Sequence, residues 1–184
     1  MNNTGIQFIT GGPDTQWSNL SLVYLKAISS AKKLVWIQTP YFLPTDALLN
    51  ALQTAALSGL DVRIMMPAFT DSILLRYASF SYVKACLDSK IKVYQYVMGM
   101  IHAKSMIIDD SLVSVGSTNF DFRSFENNFE CNLLIHDKDL NKRMKKTFED
   151  DMSVCVEIDM ESWKKRPLKQ RMLESVLRLV SPIL

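Results

Sequence analysis

The sequence predicts an α/β domain in which a mixed β-sheet carries helices on both faces. Three observations lead there. Up to residue 97, short β-rich runs alternate with helical periodicities, the pattern of strands joined by helical crossovers. Residues 105–108 and 112–115 are two further β-rich runs around the turn signal Asp109-Asp110-Ser111, which makes a hairpin. Residues 129–135 then add another strand before a last helical pattern.

In order, residues 7–10 read as a short strand stopped by the Gly11-Gly12-Pro13-Asp14 turn. Trp17, Leu20, Tyr24, Ala27, Ile28 and Ala31 fall at helical spacing, with Lys32-Lys33 suited to the helix end. Residues 34–37 (LVWI) form a buried-type strand, and 39–44 (TPYFLP) a rigid loop. Thr45 caps a helix carrying Leu48, Leu52 and Ala55, which Gly59 ends. Residues 62–66 make the next strand, stopped by Pro67, and Asp71 or Ser72 caps a helix through Leu74, Tyr77, Ala78 and Leu87. Residues 91–97 alternate as a strand feeding the hairpin, and Asp137 caps a helix with Leu140, Met144 and Phe148. A basic amphipathic tail covers about residues 163–184.

The 184 residues suit one domain with a sizeable core. A net charge of +2 is too small to argue for nucleic acid. Cys86, Cys131 and Cys155 have no metal-type spacing and read as buried thiols of a reducing compartment. No apolar run is long enough to span a membrane, and the opening residues lead straight into the first strand without a leader pattern.

The chemistry concentrates in residues 101–119, I-H-A-K-S-M-I-I-D-D-S-L-V-S-V-G-S-T-N. His102 and Lys104 are two apart, so on a strand both point to one face. The hairpin returns Ser117 and Asn119 towards them. An imidazole that titrates near neutrality can attack or hand over a proton, while lysine, serine and asparagine hold an anion. Glu130, opening the next strand, can reach the other imidazole nitrogen and fix its tautomer. Asp109 completes the spacing, although its turn position suits a carboxylate that bonds local backbone groups. His136, at a strand end with no such company, reads as a surface or capping residue.

This H-x-K-x-x-x-x-D-x-x-x-x-x-x-G-S-x-N spacing resembles the signature of the phospholipase D superfamily, matched without a gap. T-P-Y-F-L-P, H-A-K-S-M-I-I-D-D, G-S-T-N-F-D-F-R-S-F, N-F-E-C-N-L-L-I and the ending R-P-L-K-Q-R…R-L-V-S-P-I-L resemble the second half of bacterial cardiolipin synthases. The resemblance implies a phospholipase D-like domain with catalytic residues His102, Lys104, Asp109, Asn119 and Glu130 and phosphate contacts from Lys104, Ser117 and Asn119. It implies phosphatidyl transfer between phosphatidylglycerol molecules through a phosphohistidine, with no metal or cofactor, at the cytoplasmic membrane of a bacterium. It also implies two imidazoles where this sequence has one signature copy, so the chain looks like an excised half or a truncated product. A homodimer or a complementary N-terminal half restores the pair. Phe69 stands where such relatives commonly carry lysine. The tail admits an ordinary docked helix or an interfacial helix meeting anionic lipid. A single-copy homodimeric nuclease or an inactive remnant are the other readings; few basic clusters outside the tail argue against a nucleic-acid groove.

Overall fold

The computed structural model describes residues 4–180, so the leader reading on residues 1–3 and the final run 181–184 lie outside it. β1 (Gly5–Gly11) opens the chain, and α1 (Asn19–Ser30) lays Leu20, Tyr24, Ala27 and Ile28 into the core. β2 (Leu34–Gln38) leads to the short β3 (Phe42–Leu43), and Thr45 caps α2 (Asp46–Leu57) by accepting from the Leu48 amide. β4 (Asp61–Pro67) and α3 (Ile73–Asp88) follow. Ser72 is the cap of α3, accepting from the Leu75 amide, while Asp71 accepts from the Tyr41 hydroxyl. β5 (Lys92–Tyr96) precedes the hairpin of β6 (Ser105–Ile108) and β7 (Leu112–Gly116). β8 (Phe120–Asp121), α4 (Phe122–Glu126), β9 (Glu130–His136) and α5 (Lys138–Met152, capped by Asp137) come next. β10 (Cys155–Glu157), α6 (Met160–Lys164) and α7 (Leu168–Val180) close the chain.

The eight-stranded sheet runs β1-β9-β7-β6-β2-β4-β5-β10. β2, β4 and β5 are parallel, and the remaining pairs are antiparallel. Alternation divides each central strand between two cores. Val35, Ile37, Ile64, Val93, Met106 and Ile108 pack with α1, α2 and α3, while Trp36, Met65, Tyr94 and Ile107 pack with Phe148 of α5. Each such side chain, fully buried, stabilises by about 1.5–3 kcal/mol. The expected mixed sheet with helices on both faces is what forms.

Strand direction decides where function can sit. The carboxyl ends of β2, β4 and β5 share one edge with the start of β6, the end of β7 and the start of β9, because Gln38 pairs with Ser105 and Gly116 with Asn132. That upper edge collects the loops from distant parts of the sequence.

Four local readings change. Trp17 lies outside α1 and is exposed, because the chain turns into the helix at Asn19. Lys32 and Lys33 fall past the helix end, where Asp109 accepts their amides. The TPYFLP segment contributes β3, whose Phe42–Leu43 pairs with β8. Cys131 is exposed, not buried, since it alternates with the inward Asn132; Cys86 is buried, and burial pushes its thiol up to about 12.

Candidate active site

β5 ends at Tyr96, and an extended loop carries His102 and Lys104 to the start of β6. Neither residue belongs to a strand, so alternation does not orient them. Even so, Lys104 Nζ lies 3.2 Å from each ring nitrogen of His102 and donates to the His102 carbonyl at 3.1 Å. His102 is exposed and Lys104 half-buried, in an open cleft of about 670 Å³ whose walls include Met98, Met100, Ile101, Gly116 and Met144. Burial holds the Lys104 ammonium below its ordinary range, and the negative charges of Glu130 and Asp121 partly offset this.

The Gly116-Ser117-Thr118-Asn119 loop is fastened to β9. A Cβ on Gly116 would stand 2.3 Å from the Cys131 carbonyl oxygen and 2.4 Å from Asn132 Oδ1, so only glycine permits this approach. Ser117 donates its hydroxyl to the Glu130 carboxylate and accepts from the Cys131 amide at 3.0 Å. Asn128 Nδ2 reaches Glu130 at 3.3 Å. Buried Asn132 accepts from the Thr118 amide and hydroxyl (3.3 and 2.6 Å) and donates to Tyr24 Oη and Ser114 Oγ (2.7 and 3.1 Å). Asn119 donates to Asp121, and its own Oδ1 is buried without a hydrogen-bond partner. Asp121 accepts from the Ser124 amide at 2.7 Å, and burial raises its carboxyl above the usual range.

Of the residues expected from the sequence, His102, Lys104, Ser117, Asn119 and Glu130 gather at this upper edge. Asp109 does not. It sits at the far end of β6, about 16 Å of extended chain from Lys104, and there it accepts from the amides of Lys32, Lys33 and Leu34 at 2.7–3.1 Å. It occupies a left-handed turn position (φ 51°) and ties the hairpin to the entry of β2. Its surroundings are those of a structural carboxylate, with no route to a proton transfer. Asp109→Ala is expected to lower stability by about 1–3 kcal/mol, read in a denaturant titration.

Glu130 is near the site but bonds Ser117 and Asn128 and makes no hydrogen bond to His102. Since the hydroxyl of Ser117 has one proton and gives it to Glu130, it has none left for a ligand. Sequence reasoning missed Asp121 and Asn132. The first is marked by the D-F-R-S cap pattern, with the carboxylate three residues before the amide that it accepts. The second is a polar residue at an inward position of an apolar strand. His136, the other histidine, is exposed at the opposite end of β9, pairing with Gly5 and Leu112. Among the described residues no group of three or more His, Cys, Asp and Glu could hold a metal ion.

The Tyr24–Ser114–Asn132 cluster carries a pH signature. Burial pushes the Tyr24 phenol from 10.0 to about 12. Because the folded value is raised, its contribution is complete below pH 10 and is lost as pH rises through the folded value. Denaturant midpoints are therefore expected to fall between about pH 10 and 12, and to fall less steeply in Tyr24→Phe.

Residues 24–152 match the protein family described as "Cardiolipin synthase, PLD-like domain". The chain belongs to that family. Cardiolipin synthase 2 of Bacillus anthracis is 43% identical over 180 residues, covering 98% of this chain and 35% of that protein. The major cardiolipin synthase ClsA of Bacillus subtilis (strain 168) is 45% identical over 182 residues, covering 99% of this chain and 38% of that protein. This family member thus spans a little over a third of the length of those relatives.

Among solved structures, phosphatidylserine synthase of Haemophilus influenzae Rd KW20 superposes with a TM-score of 0.79 at 18% identity, covering 100% of this chain and 49% of that one. Nuc of Salmonella typhimurium, a phospholipase D family member, superposes with a TM-score of 0.71 at 21% identity, covering 85% and 99%. At those identities the likeness is one of fold, and it agrees with the phospholipase D-like α/β architecture expected from the sequence.

Proposed function

We propose that this chain is one catalytic half of a cardiolipin synthase-type phosphatidyltransferase, corresponding to the C-terminal half, and that it works against a second H-x-K half. The observation that carries the reading is the placement of His102, Lys104, Ser117, Asn119 and Glu130 at one edge of the sheet, His102 and Lys104 lining its open cleft and Glu130 close enough to act on the Lys104 charge, with a single imidazole among them.

The chemistry needs two imidazoles. One, neutral, attacks phosphorus, so that an N–P bond forms while the P–O bond to glycerol breaks. The other, protonated, gives its proton to the departing oxygen. A hydroxyl of a second phosphatidylglycerol then yields its proton to that imidazole, its oxygen bonds phosphorus, and the N–P bond breaks. Lys104 offsets the phosphodiester charge, with Asn119 as the neighbouring amide donor. Glu130 and Asp121 are positioning residues, the former through Ser117 and the latter through Asn119. By analogy with two-copy relatives, His102 is the proton donor in a two-half enzyme, and in a homodimer it fills both roles.

The surface beside the cleft suits a second half of the same kind. Ser105, Val115, Leu133 and Phe8 form one row across the sheet, leading from the cleft to the exposed Phe8 and Ile6 of the edge strand. The cleft itself favours lipid over nucleic acid. Among the described residues lining it, Lys104 is the one lysine or arginine, whereas a polyanion groove is strongly basic. We place the protein peripherally on the cytoplasmic membrane; no helix among the described residues is long and apolar enough to cross a bilayer.

The test supplies phosphatidylglycerol vesicles in one arm and single-stranded DNA in the other, with the assembly mass followed alongside. Cardiolipin and glycerol are expected only where two copies, or this chain and a first-half fragment, associate. Full turnover by a strict monomer, or DNA cleavage without lipid transfer, overturns the reading.

A further inference from the structure

Helix α7 docks by its polar side. It lies against α3, and among its described side chains those it buries are Glu174 and Leu177. Glu174 pairs with Arg166 and accepts from Gln170 at 3.0 Å, while Arg166 stacks on Trp163 with its guanidinium carbon 3.2 Å from the ring centroid. Arg178 covers the Tyr82 ring at 4.6 Å and donates to the Ser81 carbonyl. With the carboxylate turned inward and satisfied, the apolar stripe is turned outward. Leu168, Met172, Val176 and Leu179, at helical spacing, are 59–82% exposed. Exposed Lys169 and Arg171 lie on α7 on either side of the stripe, exposed Lys164 ends the preceding α6, and none of the three forms an ion pair among the described residues.

We infer that the outward face of α7 is a foot that settles on an anionic lipid surface, its leucines and methionine entering the headgroup boundary and Lys164, Lys169 and Arg171 meeting lipid phosphates. A helix of this length with an uncovered stripe beside uncompensated cations is the arrangement that binds such a surface. Self-association through the same stripe sets these cations against their own copies, which opposes a two-fold contact there. The inference rests on the lipid-transfer reading only in its choice of phosphatidylglycerol as the anionic lipid.

The experiment therefore uses the complete chain carrying His102→Ala, so adhesion is measured without turnover. Sedimentation with vesicles of phosphatidylglycerol and phosphatidylcholine is compared with pure phosphatidylcholine. Binding is expected to the first only and to weaken with salt. Each of Lys164→Glu, Lys169→Glu and Arg171→Glu should weaken it about fivefold or more. Joint Leu168→Gln, Met172→Gln and Val176→Gln should remove it while leaving thermal unfolding unchanged, since these side chains are already in water. Met172→Trp supplies a second reading, a blue shift of its emission when anionic vesicles are added. Vesicle binding untouched by the triple glutamine change overturns the inference, as does an absent blue shift. So does a triple variant whose assembly mass changes while its vesicle affinity does not, which would make the stripe a protein contact.

Discussion

His102→Ala is expected to abolish the proposed phosphatidyl transfer in every active assembly of this chain, with a fall of roughly four or more orders of magnitude for loss of a group that bonds or protonates the reacting atoms. The imidazole is exposed, and among the described residues its ring has no hydrogen-bond partner but Lys104, so the variant should keep the thermal midpoint of the parent. Titrating the variant into the parent protein extends the test. If each competent site draws one imidazole from each of two copies, activity falls as the square of the parent fraction, because mixed pairs lack one partner. A linear fall would mean that one copy acts alone, and persistent transfer by the pure variant would remove His102 from the reaction.

The second large effect is expected at a residue with no contact to substrate. Asn132 serves four polar groups of three residues at once: the amide and hydroxyl of Thr118, the phenol of Tyr24 and the hydroxyl of Ser114. In Asn132→Leu the buried Thr118 amide and hydroxyl lose their partner and Tyr24 and Ser114 keep only each other, at a cost of about 3 kcal/mol or more. For a domain of this size the thermal midpoint should drop by roughly 6–12 °C. Activity should fall further than the unfolded fraction accounts for, because Thr118 sits between Ser117 and Asn119. With the Thr118 ties to β9 gone and only those of Ser117 left, that loop can shift by an ångström, which is enough to lose about a hundredfold in rate. A variant with the parent's midpoint and rate would show that the network neither holds the core nor places the loop.

What the sequence revealed, and what it hid, follows from range. The spacing from His102 to Asn119 lies within one hairpin, so covalent connection already brings its ends together, and the cluster was legible. Helix caps at Thr45 and Asp137 were legible for the same reason, each bond spanning three residues. The loop status of His102 and Lys104 was not. The alternation of apolar and polar residues continues back to Ile101, and only the registry of β2 and β7 determines that pairing begins at Ser105. Asp109 matched the signature, yet its partners are amides some 75 residues away, which no local pattern announces. β10 was invisible because Cys155–Glu157 is three residues long and gains its strand character from β5. The tail's amphipathicity was plain, but periodicity says only that one side is apolar. That Glu174 faces inward depends on Arg166 and Gln170 reaching it.

The pairing of β1 with β9 reaches beyond the finished structure. Gly5 meets His136, so the edge closes between the first described strand and one made much later. Contacts of such long range form slowly. Until β1 arrives, one flank of β9, the strand that holds Glu130 and Asn132, presents bare amides and carbonyls to any passing strand. The maturing molecule, more than the mature one, is where misassembly should begin, and a chaperone that shields that flank should raise the yield of competent protein.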